Sequence, residues 1–282
     1  MTTRAQQGGQ QPQHALVLDP KHPGVGDAAY VQRRRELYDL ARNARLANSG
    51  IPNVAYSPEE HQIWHTISQR LVEAHKKYAC ALYQKGKSLL KIETEHMPQL
   101  AALNERMEKA SGFGLVPAEG LLDAPTFFGY LSQRRMPVTQ FLRHNAHPEF
   151  TPEPDAVHDV IGHVPCLMDK AYTDVVRLVG EGVRGVSNED QLTAWIRMYW
   201  FTIEFGLIEE GGELKVFGAG LLSSLEEMEH CLSDKVERRR FDLETVIKTP
   251  YDTTQMQSTV FVLPSLGALK DATYRLMAQF AA

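Results

Sequence analysis

One carboxylate constrains this chain more than any other feature. Glu204 lies in the run Met198-Tyr-Trp-Phe-Thr-Ile-Glu-Phe-Gly-Leu207, flanked by Trp200, Phe201, Ile203, Phe205 and Leu207. The run reads as a helix that is apolar nearly all round. An ionised carboxylate does not persist in such surroundings unless it is paired or bound to a cation. The fold must therefore deliver a partner. Arg143 and Arg197 are candidate counter-charges, and a metal ion with further ligands is the other solution.

The further ligands are suggested by Thr151-Pro-Glu-Pro-Asp-Ala-Val-His158-Asp159-Val-Ile-Gly162-His163-Val-Pro165. Two histidines five residues apart sit roughly 140° apart around a regular α-helix, so they do not share a face. The spacing fails the HExxH pattern, whose i,i+4 pair does. A helix ending at Gly162, with Pro165 just beyond, is expected to turn His163 back toward His158. Two imidazoles and one carboxylate with open positions form the facial set of non-haem Fe(II) oxygenases. Zinc fits the same ligands, but the aromatic wall around Glu204 suits an aromatic substrate better than hydrolysis. The spacing alone is equally compatible with two ordinary histidines among the 11 in the chain.

Composition narrows the class. The 282 residues are 43% hydrophobic and 23% charged, as in globular proteins. Asp plus Glu outnumber Lys plus Arg by 35 to 30, giving a net charge of −5, so a nucleic-acid partner is not expected. No apolar run approaches a membrane span, and Met1 to His14 lacks the apolar core of a signal peptide. Cys80, Cys166 and Cys231 are odd in number and far apart, which offers neither a disulfide framework nor a zinc knuckle. A soluble cytoplasmic protein is the expectation.

Residues 1–14 are rich in Gln and Gly and read as a disordered tail, with order starting near Ala15 and a single domain over 15–282. Asp27 to about Ala47 is patterned as a helix. Ser57-Pro58-Glu59-Glu60 is a capping box with proline at the first helical position. That helix is expected to run past Leu71 through Leu82, with a break near Gly86. Further helices fit Pro98 to Ala110, Asp123 to Arg134, Ala171 to Gly180 and Leu192 to Glu209. Strands are expected only at Glu213 to Phe217 and Thr259 to Leu263. The expected class is mostly α, with a few short strands near the C-terminus.

Three motifs go beyond generic patterning. TPEPDxxHDxxGHVP from Thr151, YWFTxEFGL from Tyr199 and FGAGLLSS from Phe217 occur in this order. Together they resemble the pterin-dependent aromatic amino acid hydroxylases, most of all the short bacterial phenylalanine hydroxylases. The resemblance runs from DPKHPG at Asp19 to near the C-terminus. It implies the family's single catalytic domain, without the regulatory domain of the animal enzymes. The chain also lacks a heptad pattern after Phe261 and stops at Phe280-Ala-Ala, implying a monomer.

The resemblance also assigns roles. His158, His163 and Glu204 match the Fe(II) ligands. Tetrahydrobiopterin or a related tetrahydropterin would supply two electrons, and O2 the oxygen inserted into the ring. The pterin would lie along Gly120, Leu121 and Leu122, stack on Phe127 and approach Asp159 and Tyr199. Ala118 and Ala124 depart from the animal enzymes, which carry a larger apolar residue and a serine there. Arg143 in FLRH would pair with the α-carboxylate of the amino acid, with Asp155 holding the guanidinium. Thr151 and Ser223 would hydrogen-bond the zwitterion, and Pro152, Trp200 and Phe205 would wall the ring. Glu227 matches a carboxylate behind the serine.

Thr253 falls where tyrosine hydroxylases place an aspartate, and with Trp200 it favours phenylalanine, hydroxylated at the para position. The alternatives within the family are tyrosine or tryptophan hydroxylation and meta-hydroxylation of phenylalanine. Outside it stand a zinc hydrolase, with Asp159 or Glu153 as base, and a metal-free binding protein.

Overall fold

Helices begin where side chains can satisfy the first free amides, and the early part of the chain follows that rule. A computed structural model of the chain describes residues 18–148, 151 and 153–281. The expected N-terminal tail, the start of order at Ala15 and the ring-wall candidate Pro152 lie outside the described residues. Helix α1 (Ala28–Ala47) is capped by Asp27, whose carboxylate accepts from the amides of Ala29 and Tyr30. Helix α2 (Pro58–Tyr78) opens on the expected capping box: Ser57 accepts from the Glu60 amide, and Glu60 reaches back to the Ser57 amide.

The next helix boundary differs from expectation. The chain breaks at Ala79-Cys80, not at Gly86, because the Cys80 amide leaves the helix to bond the Val216 carbonyl at 2.9 Å. Gly86 is interior to α3 (Ala81–Leu90) and serves as a contact point: a Cβ there would lie 1.8 Å from the Pro165 carbonyl oxygen. Helix α4 (Leu100–Ser111) stops at Gly112, which takes the left-handed conformation at φ +71°.

Two strands that the sequence did not announce follow. β1 (Gly114–Ala118) and β2 (Arg135–Thr139) pair in parallel, joined by α5 (Ala124–Ser132), with Gly114 opposite Arg135 and Ala118 opposite Thr139. The segment Gly114–Thr139 is thus a compact crossover unit, and it ends at Thr139, beside the histidine segment. Helices α6 (Lys170–Arg184) and α7 (Glu189–Tyr199) come next.

The expected long helix over 192–209 ends early, since Glu204 closes a π-helical turn and Leu207–Glu210 is strand β3. β3 and β4 (Glu213–Val216) form a hairpin. After α8 (Ala219–Leu222) and α9 (Leu225–Leu232) come β5 (Glu237–Arg240), α10 (Leu243–Val246), β6 (Thr259–Leu263) and α11 (Leu266–Ala281). The larger sheet runs β4-β3-β6-β5, with only the hairpin antiparallel.

One large apolar cluster joins α2, α3, α6, α7 and both sheets through Trp64, Leu71, Tyr83, Trp195, Phe201 and Phe261. Cys80 and Cys166, distant in sequence, meet in it as free thiols. Among the described residues no helix is long and apolar enough to cross a membrane.

The contact at Gly86 makes a stability prediction. Gly86→Ala should cost about 1–3 kcal/mol, as overpacking against backbone does. Gly129→Ala on α5, where an added Cβ meets nothing within 4 Å, should stabilise by up to about 1 kcal/mol through helix propensity. Urea unfolding midpoints moving in the same direction for both would contradict this.

Candidate metal centre and active site

The histidine segment solves its spacing problem by widening the helix. Val157 leads into a π-helical turn over His158–His163, and the Val164 amide bonds the Asp159 carbonyl five residues back, at 3.2 Å. An i→i+5 turn brings residues five apart to the same side. The expectation of a helix end at Gly162 is therefore corrected. Gly162 lies within the turn, and its role is close approach: a Cβ would lie 2.5 Å from the Ala219 carbonyl oxygen of α8. The two imidazoles sit with ring centroids 5.0 Å apart, nearly perpendicular.

A second π turn, Trp200–Glu204, closes with the Phe205 amide on the Trp200 carbonyl at 2.8 Å and turns Glu204 toward the pair. Glu204 Oε1 is 3.0 Å from His163 Nε2, and Oε2 is 3.6 Å from His158 Nε2. One donor atom from each of the three lies within 4.8 Å of the others. Neither arginine partners Glu204: Arg197 donates to the Ile247 carbonyl, and Arg143 is taken by Asp155.

Electrostatics suit a cation here. Burial alone would raise the Glu204 carboxyl, but the two histidines and the Tyr199 hydroxyl bring it down to about 2. Burial lowers His158 to about 4, so its ring is neutral. His163 is lowered by burial but raised on balance by Glu204. His158 Nδ1 lies 3.2 Å from Ser223 Oγ, which itself donates to the Gly220 carbonyl. With Nδ1 as the donor, Nε2 keeps a lone pair facing Glu204. An anionic carboxylate and a directed imidazole lone pair, nearly buried, fit a divalent metal.

Beside this centre is a buried ion pair. Arg143 donates to Asp155 through its backbone amide at 2.8 Å, Nε at 2.9 Å and Nη2 at 2.8 Å. Burial would raise Asp155, but Arg143 and two amides hold it below the usual carboxylate range. Asp155 Oδ1 also accepts the His158 amide at 3.1 Å, so one carboxylate organises both the guanidinium and the start of the histidine turn. Arg143 Nη1 bonds the Pro148 carbonyl.

The hydroxyls expected to face a zwitterion are already engaged. Thr151 donates to the Glu153 carbonyl at 2.6 Å, and Ser223 serves His158. Trp200 stacks on Tyr251 at 4.4 Å and packs on Phe205 at 4.5 Å, forming a half-exposed aromatic wall. Thr253 is exposed in the loop beyond Tyr251. Gln257, which the sequence did not single out, fixes that loop. Its side chain accepts the Trp200 indole N–H at 3.0 Å and donates to the Asp252 and Gln255 carbonyls. A buried amide of this kind leaves no local pattern. Glu227 is pushed up to about 7 by burial.

Of the expected pterin residues, Phe127, Tyr199 and Asp159 connect to the same centre. Phe127 is half-buried and meets Tyr199 edge-to-face at 5.6 Å, and Tyr199 reaches Glu204. Asp159 accepts the Thr139 amide at 2.7 Å and its hydroxyl at 2.8 Å, tying the turn to the end of β2. Burial nevertheless pushes its carboxyl up to about 7. Gly120 and Leu122 are half-buried and Leu121 is exposed, on a loop held to α1 by Arg45 and Glu119 at 3.0 Å.

Comparison with known proteins fits this geometry. The model of the biopterin-dependent aromatic amino acid hydroxylase family matches residues 11–282. Phenylalanine-4-hydroxylase of Rattus norvegicus is 36% identical over 262 residues, covering 92% of this chain and 57% of the relative. Tyrosine 3-monooxygenase of Drosophila melanogaster is 37% identical over 259 residues, covering 90% and 44%. The chain thus spans about half the length of the curated relatives it matches. Among solved structures, Chromobacterium violaceum phenylalanine hydroxylase with iron(III) and 7,8-dihydrobiopterin aligns with a TM-score of 0.77 at 35% identity, over 82% of this chain and 86% of that one. The Legionella pneumophila phenylalanine hydroxylase aligns at 0.76 and 30% identity, over 82% and 96%.

The Arg143–Asp155 pair yields a prediction independent of activity. Asp155→Ala leaves a buried guanidinium without its counter-charge and should cost about 3–5 kcal/mol. Adding Arg143→Met should recover much of that loss, because both charges are then gone. A double variant as unstable in urea as the sum of the two single variants would contradict this.

Proposed function

The chain belongs to the biopterin-dependent aromatic amino acid hydroxylases, and from that premise we propose that it converts L-phenylalanine to L-tyrosine with O2. In this reading His158, His163 and Glu204 hold Fe(II), and tetrahydrobiopterin or a related tetrahydropterin is the co-reductant. The observation that carries it is the convergence of these three donors within 4.8 Å, next to an aromatic wall and a buried guanidinium. When bound, iron would activate O2 and the tetrahydropterin would donate the two electrons that reduce the oxygen atom not inserted into the ring.

The chain's own residues then do positional work. Asp155 fixes the plane of Arg143, leaving the guanidinium to take the α-carboxylate of the amino acid. Trp200 and Phe205 wall the substrate ring and exclude water. Phe127 offers its face to the pterin, the Gly120-Leu121-Leu122 backbone offers hydrogen-bonding groups to its edge, and Asp159 and Tyr199 line the same side. Thr151 shapes the loop before Asp155. Ser223 orients His158, a different role from the zwitterion contact that the sequence suggests. We place this enzyme in a reducing compartment such as the cytoplasm, a reading supported by its three free thiols, and we propose that it acts as a monomer.

Phenylalanine is preferred over tyrosine because the Trp200–Phe205 wall is apolar and Thr253 brings no charge for a phenolic hydroxyl. Tyrosine hydroxylation is the second reading, favoured by the likeness to tyrosine 3-monooxygenase. Incubating phenylalanine, tyrosine and tryptophan separately with Fe(II), O2 and a tetrahydropterin should give para-tyrosine from phenylalanine as the fastest reaction. His158→Ala and Glu204→Ala should each lower turnover by more than about a hundredfold, beyond the loss typical of a residue that only orients a ligand, while keeping their helical circular dichroism. A predominant meta product, faster turnover of tyrosine or tryptophan, or full activity in either variant would overturn the reading.

A further inference from the structure

Helix α8 carries two contacts on which the metal centre depends. Its Ala219 carbonyl backs Gly162, and the residue after it, Ser223, meets His158 Nδ1. Yet α8 spans only Ala219–Leu222, far too short to hold its shape alone, and its last carbonyls need outside partners. The Leu222 carbonyl finds one across the core. His75, on the last turns of α2 and 2% exposed, lies with Nε2 2.7 Å from that oxygen.

A carbonyl only accepts, so His75 Nε2 carries the hydrogen and Nδ1 carries the lone pair. Lys87 Nζ, 2.9 Å from Nδ1, donates to that lone pair. The two neighbours thus select one neutral tautomer from opposite sides. The arrangement requires the break at Ala79-Cys80, since Lys87 lies on α3 and reaches back over twelve residues to α2. Tyr83 packs against the ring, with centroids 4.8 Å apart. Burial and Lys87 push His75 down to about 3, and burial also lowers the half-buried Lys87. A leucine or phenylalanine would fill this space without burying two titratable groups. The feature that sets the site apart is what lies one residue beyond the carbonyl.

We propose that His75, locked in one tautomer by Lys87, is a positioning residue for the metal centre: it pins the end of α8 so that the Ser223 hydroxyl meets His158 Nδ1 and fixes that imidazole. The chain of contacts is directional. Lys87 donates to His75, and His75 donates to the Leu222 carbonyl. Separately, His158 donates to Ser223, and Ser223 to the Gly220 carbonyl. The inference rests on the reading of His158, His163 and Glu204 as metal ligands.

Equilibrium titration with Co(II), followed by its visible absorption, tests this without any turnover. His75→Phe should weaken Co(II) binding by about tenfold or more, the range for residues behind a ligand. His75→Gln, whose amide N–H can still reach the Leu222 carbonyl, should restore affinity to within about threefold of wild type. In a Ser223→Ala background, His75→Phe should add little, because its route to His158 is already cut. Undiminished affinity in a folded His75→Phe protein, or fully additive losses in the cycle with Ser223→Ala, would overturn the proposal. If His75→Phe does not fold, Lys87→Met carries the test: a loss that vanishes in the Ser223→Ala background supports the proposal, and unchanged affinity overturns it. Wild-type protein that binds no Co(II) would overturn the metal reading and this inference with it.

Discussion

Two widened helical turns hold this structure to its purpose. Each closes with an i→i+5 hydrogen bond, at Val164 and at Phe205, and each departs from the α-helix where a functional side chain would otherwise face the wrong way. The first puts His158 and His163 on one side, and the second swings Glu204 out of an apolar helix to meet them. A π turn is strained relative to an α turn and tends to persist where function selects it. Here tertiary contacts hold both. Gly162 lies against α8, Thr139 grips Asp159, and just past the second turn the Gly206 carbonyl accepts the amides of Phe217 and Gly218.

The buried charges form a second layer of dependence. Asp155 is the joint between two tasks, since it clamps Arg143 and caps the amide of His158. The guanidinium and the histidine turn are therefore held in fixed relation to one another, and in the proposed function that relation would set an amino acid at Arg143 against the three candidate ligands. Burial of this kind contributes little net stability, because desolvation offsets most of the attraction. Its value here is geometric, as a rigid planar fork held from behind.

The sequence made the local chemistry legible. The Asp27, Ser57 and Asp123 starts appear where a side chain accepts the first free amides, and the Gly112 stop where a residue without Cβ can turn left-handed, because each depends on residues within one turn. What depended on distant partners did not show. The break at Ala79-Cys80 exists because Val216 takes the Cys80 amide, and β1 and β2 pair across a helix that conceals their adjacency. The candidate ligands stood out because a carboxylate among aromatics is costly and so demands a reason. Gln257, Thr139 and His75 carried no such mark: a polar residue becomes conspicuous only once its burial is known. The histidine spacing poses a difficulty visible in the sequence, and the convergence is legible there, but the widened turn that achieves it is not.

In the proposed function the two π turns present three protein ligands, His158, His163 and Glu204, to one metal ion. X-ray absorption at the iron edge of Fe(II)-loaded protein tests this most directly. Wild type should show two imidazole nitrogens and oxygen donors bound to the iron, falling to one imidazole in His158→Ala. A wild-type spectrum with a single imidazole, or one unchanged by the substitution, would contradict it.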